Sequence, residues 1–146
     1  MPVRKYTEFI SEDALYEQLR EKLGIDRRKI VEQLEQNAEI FDVVGSMVAK
    51  LWDQAEFYAI ECDVMESRTS SRIRAEWEKD GVKITEKAIT DKTEQDEEYL
   101  SMRHLKRQAK AEHQKWSSLL QAFDKRAYAL ESVSRAVQSN LVQYGR

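Results

Sequence analysis

The fold is decided by residues 102–137, which read MRHLKRQAKAEHQKWSSLLQAFDKRAYALESVSRAV. Apolar residues recur in this stretch every seven positions, and a second apolar set follows three or four positions later. The first set is Met102, Ala109, Trp116, Phe123, Leu130 and Val137, and the second is Leu105, Leu119, Leu120, Val133 and Leu141. This spacing predicts one long helix with a single apolar stripe, which needs a partner to cover it.

A second stripe of the same kind lies earlier in the chain and offers that partner. It steps by three and four residues through Phe41, Val44, Val48, Leu51, Ala55, Tyr58, Cys62, Met65 and Thr69. Between the two stripes, Lys79-Asp80-Gly81 is typical of a turn, because glycine adopts positive φ at little cost. The sequence therefore predicts an all-α fold, an elongated, coiled-coil-like antiparallel hairpin of two long helices.

The boundaries of the predicted elements come from capping residues and glycines. The first long helix is expected from Asn37 to Lys79, and the second is expected to begin at Thr93. Residues 1–36 are predicted to form an arm and short N-terminal helices, and residues 37–146 the hairpin. The predicted caps are Ser11 and Asp26 for the short helices and Thr85 for a single turn, Glu86 to Ile89.

Composition favours a helical protein without disulfides or membrane spans. The chain has 146 residues, 35% of them charged, and its one Pro and four Gly offer few helix breakers. Cys62, the single cysteine, falls on the apolar stripe and is predicted to be a small buried hydrophobe. No segment approaches the ~20 apolar residues of a membrane helix. These features predict a soluble protein of the cytoplasm, the host cytoplasm if a phage encodes it.

Charge is distributed unevenly along the chain. Residues 8–66 hold 15 acids and 6 bases, whereas residues 67–146 hold 12 acids and 16 bases. Because the second half carries the excess of cations, a polyanion partner is expected to bind there.

Residues with the spacing of an active site or metal centre are not found in the sequence. It has no glycine-rich phosphate loop, and His104 and His113 would lie ~13 Å apart on one helix, too far to share a metal ion. The sequence therefore predicts a protein that is not an enzyme and that holds no metal or cofactor.

One end of the predicted hairpin is rich in cations, with Trp77 and Tyr99 nearby as possible stacking surfaces. These cations are Arg68, Arg72, Arg74, Lys79, Lys83, Lys87, Arg103, Lys106, Arg107 and Lys110. Cations with aromatic faces suit single-stranded nucleic acid, because phosphates supply affinity and bases stack without regard to sequence. The alternative interpretation is a solvated charged face, since Glu76, Glu78, Asp80, Glu86 and Glu112 dilute the patch.

The order of features resembles a known family. The chain has a short acidic helical N-terminus, then Trp52 and Tyr58, a Ser/Arg stretch, and Gly81 followed by Lys-Ile-Thr-Glu. Residues 116–123, WSSLLQAF, then lie on the closing helix. Over residues 38–140 this layout resembles the phage recombination mediator proteins of the UvsY type. The resemblance implies binding of single-stranded DNA, assembly into ring-like homo-oligomers, and loading of a RecA-like recombinase onto strands covered by single-strand-binding protein.

Two functions are favoured by the sequence, which neither supports nor excludes a third, a small regulator of a host enzyme. The first is a single-stranded DNA-binding recombination mediator that oligomerises. The second is a structural or adaptor coiled-coil protein that binds only other proteins, such as a phage assembly factor.

Overall fold

A computed structural model describes the backbone of residues 9–144 and the side chains of residues 9–141. In this part of the chain every regular element is helical. A short 3₁₀ turn, Arg27–Lys29, lies between the first and second α-helices. The four α-helices are α1 (Asp13–Glu21), α2 (Ile30–Asp80), α3 (Glu86–Glu94) and α4 (Glu97–Tyr144). None of these helices contains an apolar stretch of the length needed to cross a lipid bilayer.

The predicted all-α fold with two long helices packed against each other is confirmed by α2 and α4. The predicted start of the first long helix was wrong, because α2 begins at Ile30 and not at Asn37. Asn37 does not cap a helix. Its side chain is buried, donates to the Phe123 carbonyl at 3.5 Å and accepts from Arg126 at 2.9 Å.

Two of the three predicted caps are confirmed. The Thr85 hydroxyl accepts from the Ala88 N–H at 3.2 Å, and the Asp26 carboxylate accepts from the Arg28 N–H at 3.0 Å. The Ser11 cap was wrong, because Glu12 is the N-cap of α1 and makes no side-chain capping bond. The Ser11 hydroxyl donates instead to Asp13, at 3.3 Å.

The segment between the long helices is more helical than the sequence indicated. α3 runs for 9 residues rather than one turn, and α4 begins at Glu97 rather than Thr93. Thr93 is buried near the end of α3, where its hydroxyl donates to the Ile89 carbonyl at 2.8 Å and lies 3.2 Å from the Ser70 hydroxyl. The Thr93 hydroxyl is therefore satisfied within α3 and beside Ser70 of α2, and it does not cap α4.

The chain forms two compact units, and α2 and α4 contribute a segment to each. The first unit contains Leu51–Glu112 and, before α1, Phe9 and Ile10. Its core includes Tyr58, Cys62, Tyr99, Met102 and Ala109, with Phe9, Ala55, Phe57, Met65 and Leu105 packed against them. The prediction that Cys62 is buried is confirmed.

A buried amide fixes Ile10 in the first unit. The Gln54 side chain is fully buried on α2. Its carbonyl accepts from the Ile10 N–H at 2.7 Å, and its amide donates to the Ile10 carbonyl at 3.4 Å. Both ends of the amide are thereby paired, as burial of a polar group requires.

The second unit contains Ser11–Lys50 and the part of α4 that starts at His113. Its core holds Val44 from α2 and Trp116, Phe123 and Leu130 from α4, all of them fully buried. α1 packs on this core through Tyr16, whose ring meets the Trp116 ring edge-on with 5.6 Å between centroids.

Arg126 joins three segments of the second unit. Its side chain is buried on α4 and donates to the Asn37 side chain of α2 and to the Gly24 carbonyl, at 2.9 and 3.1 Å. Burial lowers the pKa of this guanidinium. Arg126 therefore ties α4 both to α2 and to the loop after α1.

The heptad stripe of α4 is buried over most of its length. Met102, Ala109, Trp116, Phe123 and Leu130 are buried, as predicted. Val137 and Leu141 are 38% and 66% exposed, so the last part of the stripe lies on the surface of the second unit.

Candidate nucleic-acid interface

All ten cations predicted to bind nucleic acid lie in the first unit. α2 carries Arg68, Arg72, Arg74 and Lys79, and α4 carries Arg103, Lys106, Arg107 and Lys110. Lys83 lies between α2 and α3, and Lys87 lies on α3. The structure therefore places all ten predicted cations in one compact unit. They differ in exposure and in whether a carboxylate already binds them.

Arg72 is held by a carboxylate. Its Nη2 donates to Asp96 Oδ1 at 2.6 Å, and this hydrogen bond is the main reason that its pKa is raised. The other oxygen of Asp96 accepts from the Tyr99 N–H at 3.1 Å at the start of α4. Asp96 therefore caps α4 and anchors Arg72 at the same time, and Arg72 serves mainly to hold α4 to α2.

Arg74 is also engaged. Its Nη2 lies 2.7 and 2.6 Å from the two carboxylate oxygens of Glu86, at the start of α3. This contact raises the pKa of Arg74. Two of the ten predicted cations, Arg72 and Arg74, thus already share their charge with carboxylates.

The row on α4 forms no ion pair with a carboxylate of the described residues. Arg107 and Lys110 are exposed, whereas Arg103 and Lys106 are half-buried. Arg107 and Lys110 can therefore approach a phosphate without first leaving an acidic partner.

The Cys62 thiol lies among charges of both signs. Burial raises its pKa, the cations Lys106 and Arg103 lower it, and the carboxylates Asp63 and Glu66 raise it. The half-buried cations of the α4 row therefore act on the same buried thiol as two carboxylates of α2.

The bend between α2 and α3 exposes further cations. Gly81 adopts a φ of +70°, and the Val82 N–H donates to the Trp77 carbonyl at 3.0 Å, which closes the end of α2. Lys79, Lys83 and Lys87 are exposed around this bend, and no described carboxylate forms an ion pair with them.

The two aromatic residues near the cations differ in exposure. The expectation that Tyr99 could stack on bases was wrong, because its ring is 8% exposed and belongs to the core of the first unit. Burial raises the pKa of its hydroxyl. Trp77 is half-buried, so part of its indole remains available for stacking.

A pocket of the first unit lies beside Arg72. Its lining residues are Arg72, Ile73, Glu76, Lys92, Gln95, Asp96, Glu97 and Glu98. Acids outnumber cations in this lining, so the pocket does not suit an anion. Among the residues that the structure describes, no group of three His, Cys, Asp or Glu side chains is placed to hold a metal ion.

Asp96 is the residue of this region that sequence reasoning missed. It lies three residues before Tyr99, in the position of an N-cap, and a carboxylate is a preferred residue there. The spacing could have identified the cap, but the sequence could not show that the same carboxylate would hold Arg72.

Replacing Asp96 with Asn is expected to remove a pH dependence of the free energy of unfolding. The Tyr99 N–H first, and then Arg72, lower the pKa of Asp96. Because the folded state holds the stronger acid, its stabilisation is present above the ordinary pKa of about 4 and is lost as the pH falls through the lower folded value. Urea unfolding at about pH 7 and about pH 3 should show a difference between wild type and D96N that shrinks at the lower pH. A constant difference would contradict this role.

The fold defines the class of protein, an all-α helical hairpin, in which the ten predicted cations belong to one compact unit. No protein-family model, no curated protein and no solved structure matches the chain.

Proposed function

We propose that the protein is a non-enzymatic recombination mediator that oligomerises, binds single-stranded DNA and helps to load a RecA-like recombinase onto strands covered by single-strand-binding protein. The observation that carries the proposal is the α4 row, Arg103 to Lys110, in which four cations are spaced along one side of a helix. Spacing of three and four residues keeps them neighbours, so that successive phosphates meet successive cations.

Under this proposal the ten cations have two roles. Arg72 and Arg74 position α3 and the start of α4 through their carboxylate partners. Phosphates bind to the other eight cations, which are Arg68, Lys79, Lys83, Lys87 and the four of the α4 row, and the exposed part of Trp77 stacks on a base. The chain as a whole has a net charge of −3, so the attraction is local and depends strongly on salt.

Oligomer formation uses the part of the α4 stripe that the second unit leaves exposed. Val137 and Leu141 continue the heptad pattern and pair between subunits. The protein acts in the cytoplasm, which is that of the host if a phage encodes it.

Fluorescence anisotropy with a labelled oligothymidylate of about 20 nucleotides tests the DNA part of this proposal. Wild-type protein at micromolar concentration is expected to bind saturably at about 50 mM salt and much more weakly at about 200 mM salt. Absence of binding at the lower salt concentration, with a folded protein, would refute DNA binding.

A second candidate function is that of an adaptor or assembly protein that binds only other proteins. The observation that favours it is the exposure of two large apolar side chains of α2, Trp52 and Ile60, at 55% and 60%. Exposed aromatic residues such as Trp52 are enriched in protein interfaces. This function predicts that the oligothymidylate does not bind at any salt concentration, whereas the mediator requires binding.

A further inference from the structure

A groove runs between α2 and α4 in the second unit, and none of its lining residues is assigned to DNA. Both helices contribute a row of side chains at intervals of three and four residues, as the side of a helix presents them. The lining residues are Leu34, Asn37, Ala38 and Phe41 on α2 and Asp124, Ala127 and Glu131 on α4.

The shape of the groove suits a helix. Its lining includes one small side chain from each helix, Ala38 and Ala127, and these occupy little of the space between the helices. Leu34 and Phe41 lie one turn to either side of Ala38 on α2, which is the arrangement that receives an apolar knob from a neighbouring helix. The Phe41 side chain is 40% exposed, so the groove already presents an aromatic wall.

Hydrogen bonds join α2 and α4 beside the groove. Asn37, one of the lining residues, donates to the Phe123 carbonyl of α4 and accepts from Arg126, which in turn donates to the Gly24 carbonyl. These bonds fix α2 and α4 at the groove before any ligand arrives. A preformed site loses less conformational entropy when it binds.

The charges around the groove are acidic. Asp124 and Glu131 lie in the lining, which contains no cation. Glu35 and Asp42 are exposed on α2, three and four residues from Ala38, and so border the same row. Glu131 lies 3.9 Å from the exposed Arg135, which offsets only part of this charge.

We propose that this groove binds an amphipathic helix of a partner protein, one with apolar residues at helical spacing and lysines or arginines on their flanks. The apolar stripe of the partner packs over Ala38 and Ala127, between Leu34 and Phe41. Its cations lie against Asp124 and Glu131 on one side and against Glu35 and Asp42 on the other. The groove shares no residue with the proposed DNA interface, because all the cations of that interface belong to the first unit.

A pair of designed peptides of about 14 residues, or two heptads, tests the groove on the full-length chain. Both have leucine at the apolar heptad positions, and the remaining positions are mostly lysine in one and mostly glutamate in the other. The fluorescent lysine peptide is expected to bind, and the glutamate peptide is expected to bind at least tenfold more weakly. Equal binding of the two peptides, or binding of neither, would refute the proposal.

Substitutions locate the site. Ala38→Arg fills the groove and reverses part of its charge, whereas Ala129→Arg places the same side chain at an exposed position of α4 outside the lining. Binding of the lysine peptide should fall at least tenfold in A38R and remain unchanged in A129R. Equal binding to both variants would place the peptide elsewhere and overturn the proposal.

Two further measurements test whether a second copy of this chain occupies the groove, and whether the groove is separate from the proposed DNA binding. If A38R dissociates the oligomer in sedimentation, a second copy of this chain occupies the groove, and the proposed partner is wrong. Oligothymidylate binding by A38R should equal that of wild type, so loss of peptide binding and failure of the DNA proposal can be distinguished.

Discussion

Reversal of the four charges of the α4 row, in R103E/K106E/R107E/K110E, is expected to weaken binding of single-stranded DNA by about 100-fold or more. Each reversal removes an attraction for a phosphate and adds a repulsion of similar size. None of the four side chains is fully buried and glutamate is a good helix former, so the variant should keep its helical content. Anisotropy with labelled oligothymidylate gives the affinity, and circular dichroism gives the helicity.

The matched control reverses four exposed cations of the second unit. K22E/K29E/K125E/R135E makes the same change in net charge at positions that the mediator does not use. It should lose far less affinity than the α4 variant, because contact and not net charge decides binding. Equal losses in the two variants would contradict a localised interface.

Phe123→Ala is expected to produce the second large effect, a loss of about 3–5 kcal/mol in the free energy of unfolding. Phe123 is fully buried in the second unit, and its carbonyl accepts from Asn37. Truncation leaves a cavity that the neighbouring helix can fill only in part. Denaturant unfolding followed by circular dichroism measures the loss.

Tyr128→Ala is the control for this prediction, because it removes a ring of similar size from the same helix. The Tyr128 side chain is 67% exposed, and its loss should change the free energy of unfolding by about 0.5 kcal/mol or less. A loss at Phe123 as small as that at Tyr128 would contradict the assignment of the α4 stripe to the core.

Periodicity predicted the helical hairpin because apolar spacing reports directly on the buried face of a helix. The same spacing could have identified two buried polar residues. Arg126 lies three residues after Phe123 and four before Leu130, and Gln54 has the same relation to Leu51 and Tyr58. Their partners could not be read from the sequence, since the Gly24 carbonyl and Arg126 are 102 residues apart and the Ile10 backbone and Gln54 are 44 apart.

The candidate site was predictable as a set of cations but not as a set of contacts. Helical spacing placed Arg103 to Lys110 on one side of α4. The pairing of Arg72 with Asp96 depends on α3 having 9 residues, whereas the sequence indicated a single turn. Tyr99 lies three residues before Met102 and so continues the apolar stripe of α4, which predicts that it is buried. Its closeness in sequence to the cations had suggested an exposed ring instead.

The salt dependence of DNA binding tests the central claim most directly, because it reports how many phosphates the cations neutralise. For a single strand, the slope of log affinity against log salt changes by about 0.7 for each contact. We expect R107Q/K110Q to bind more weakly than wild type with a slope shallower by about 1.4, since both side chains are exposed on α4. A slope and an affinity equal to those of wild type would show that these residues do not contact DNA and would contradict the proposed interface.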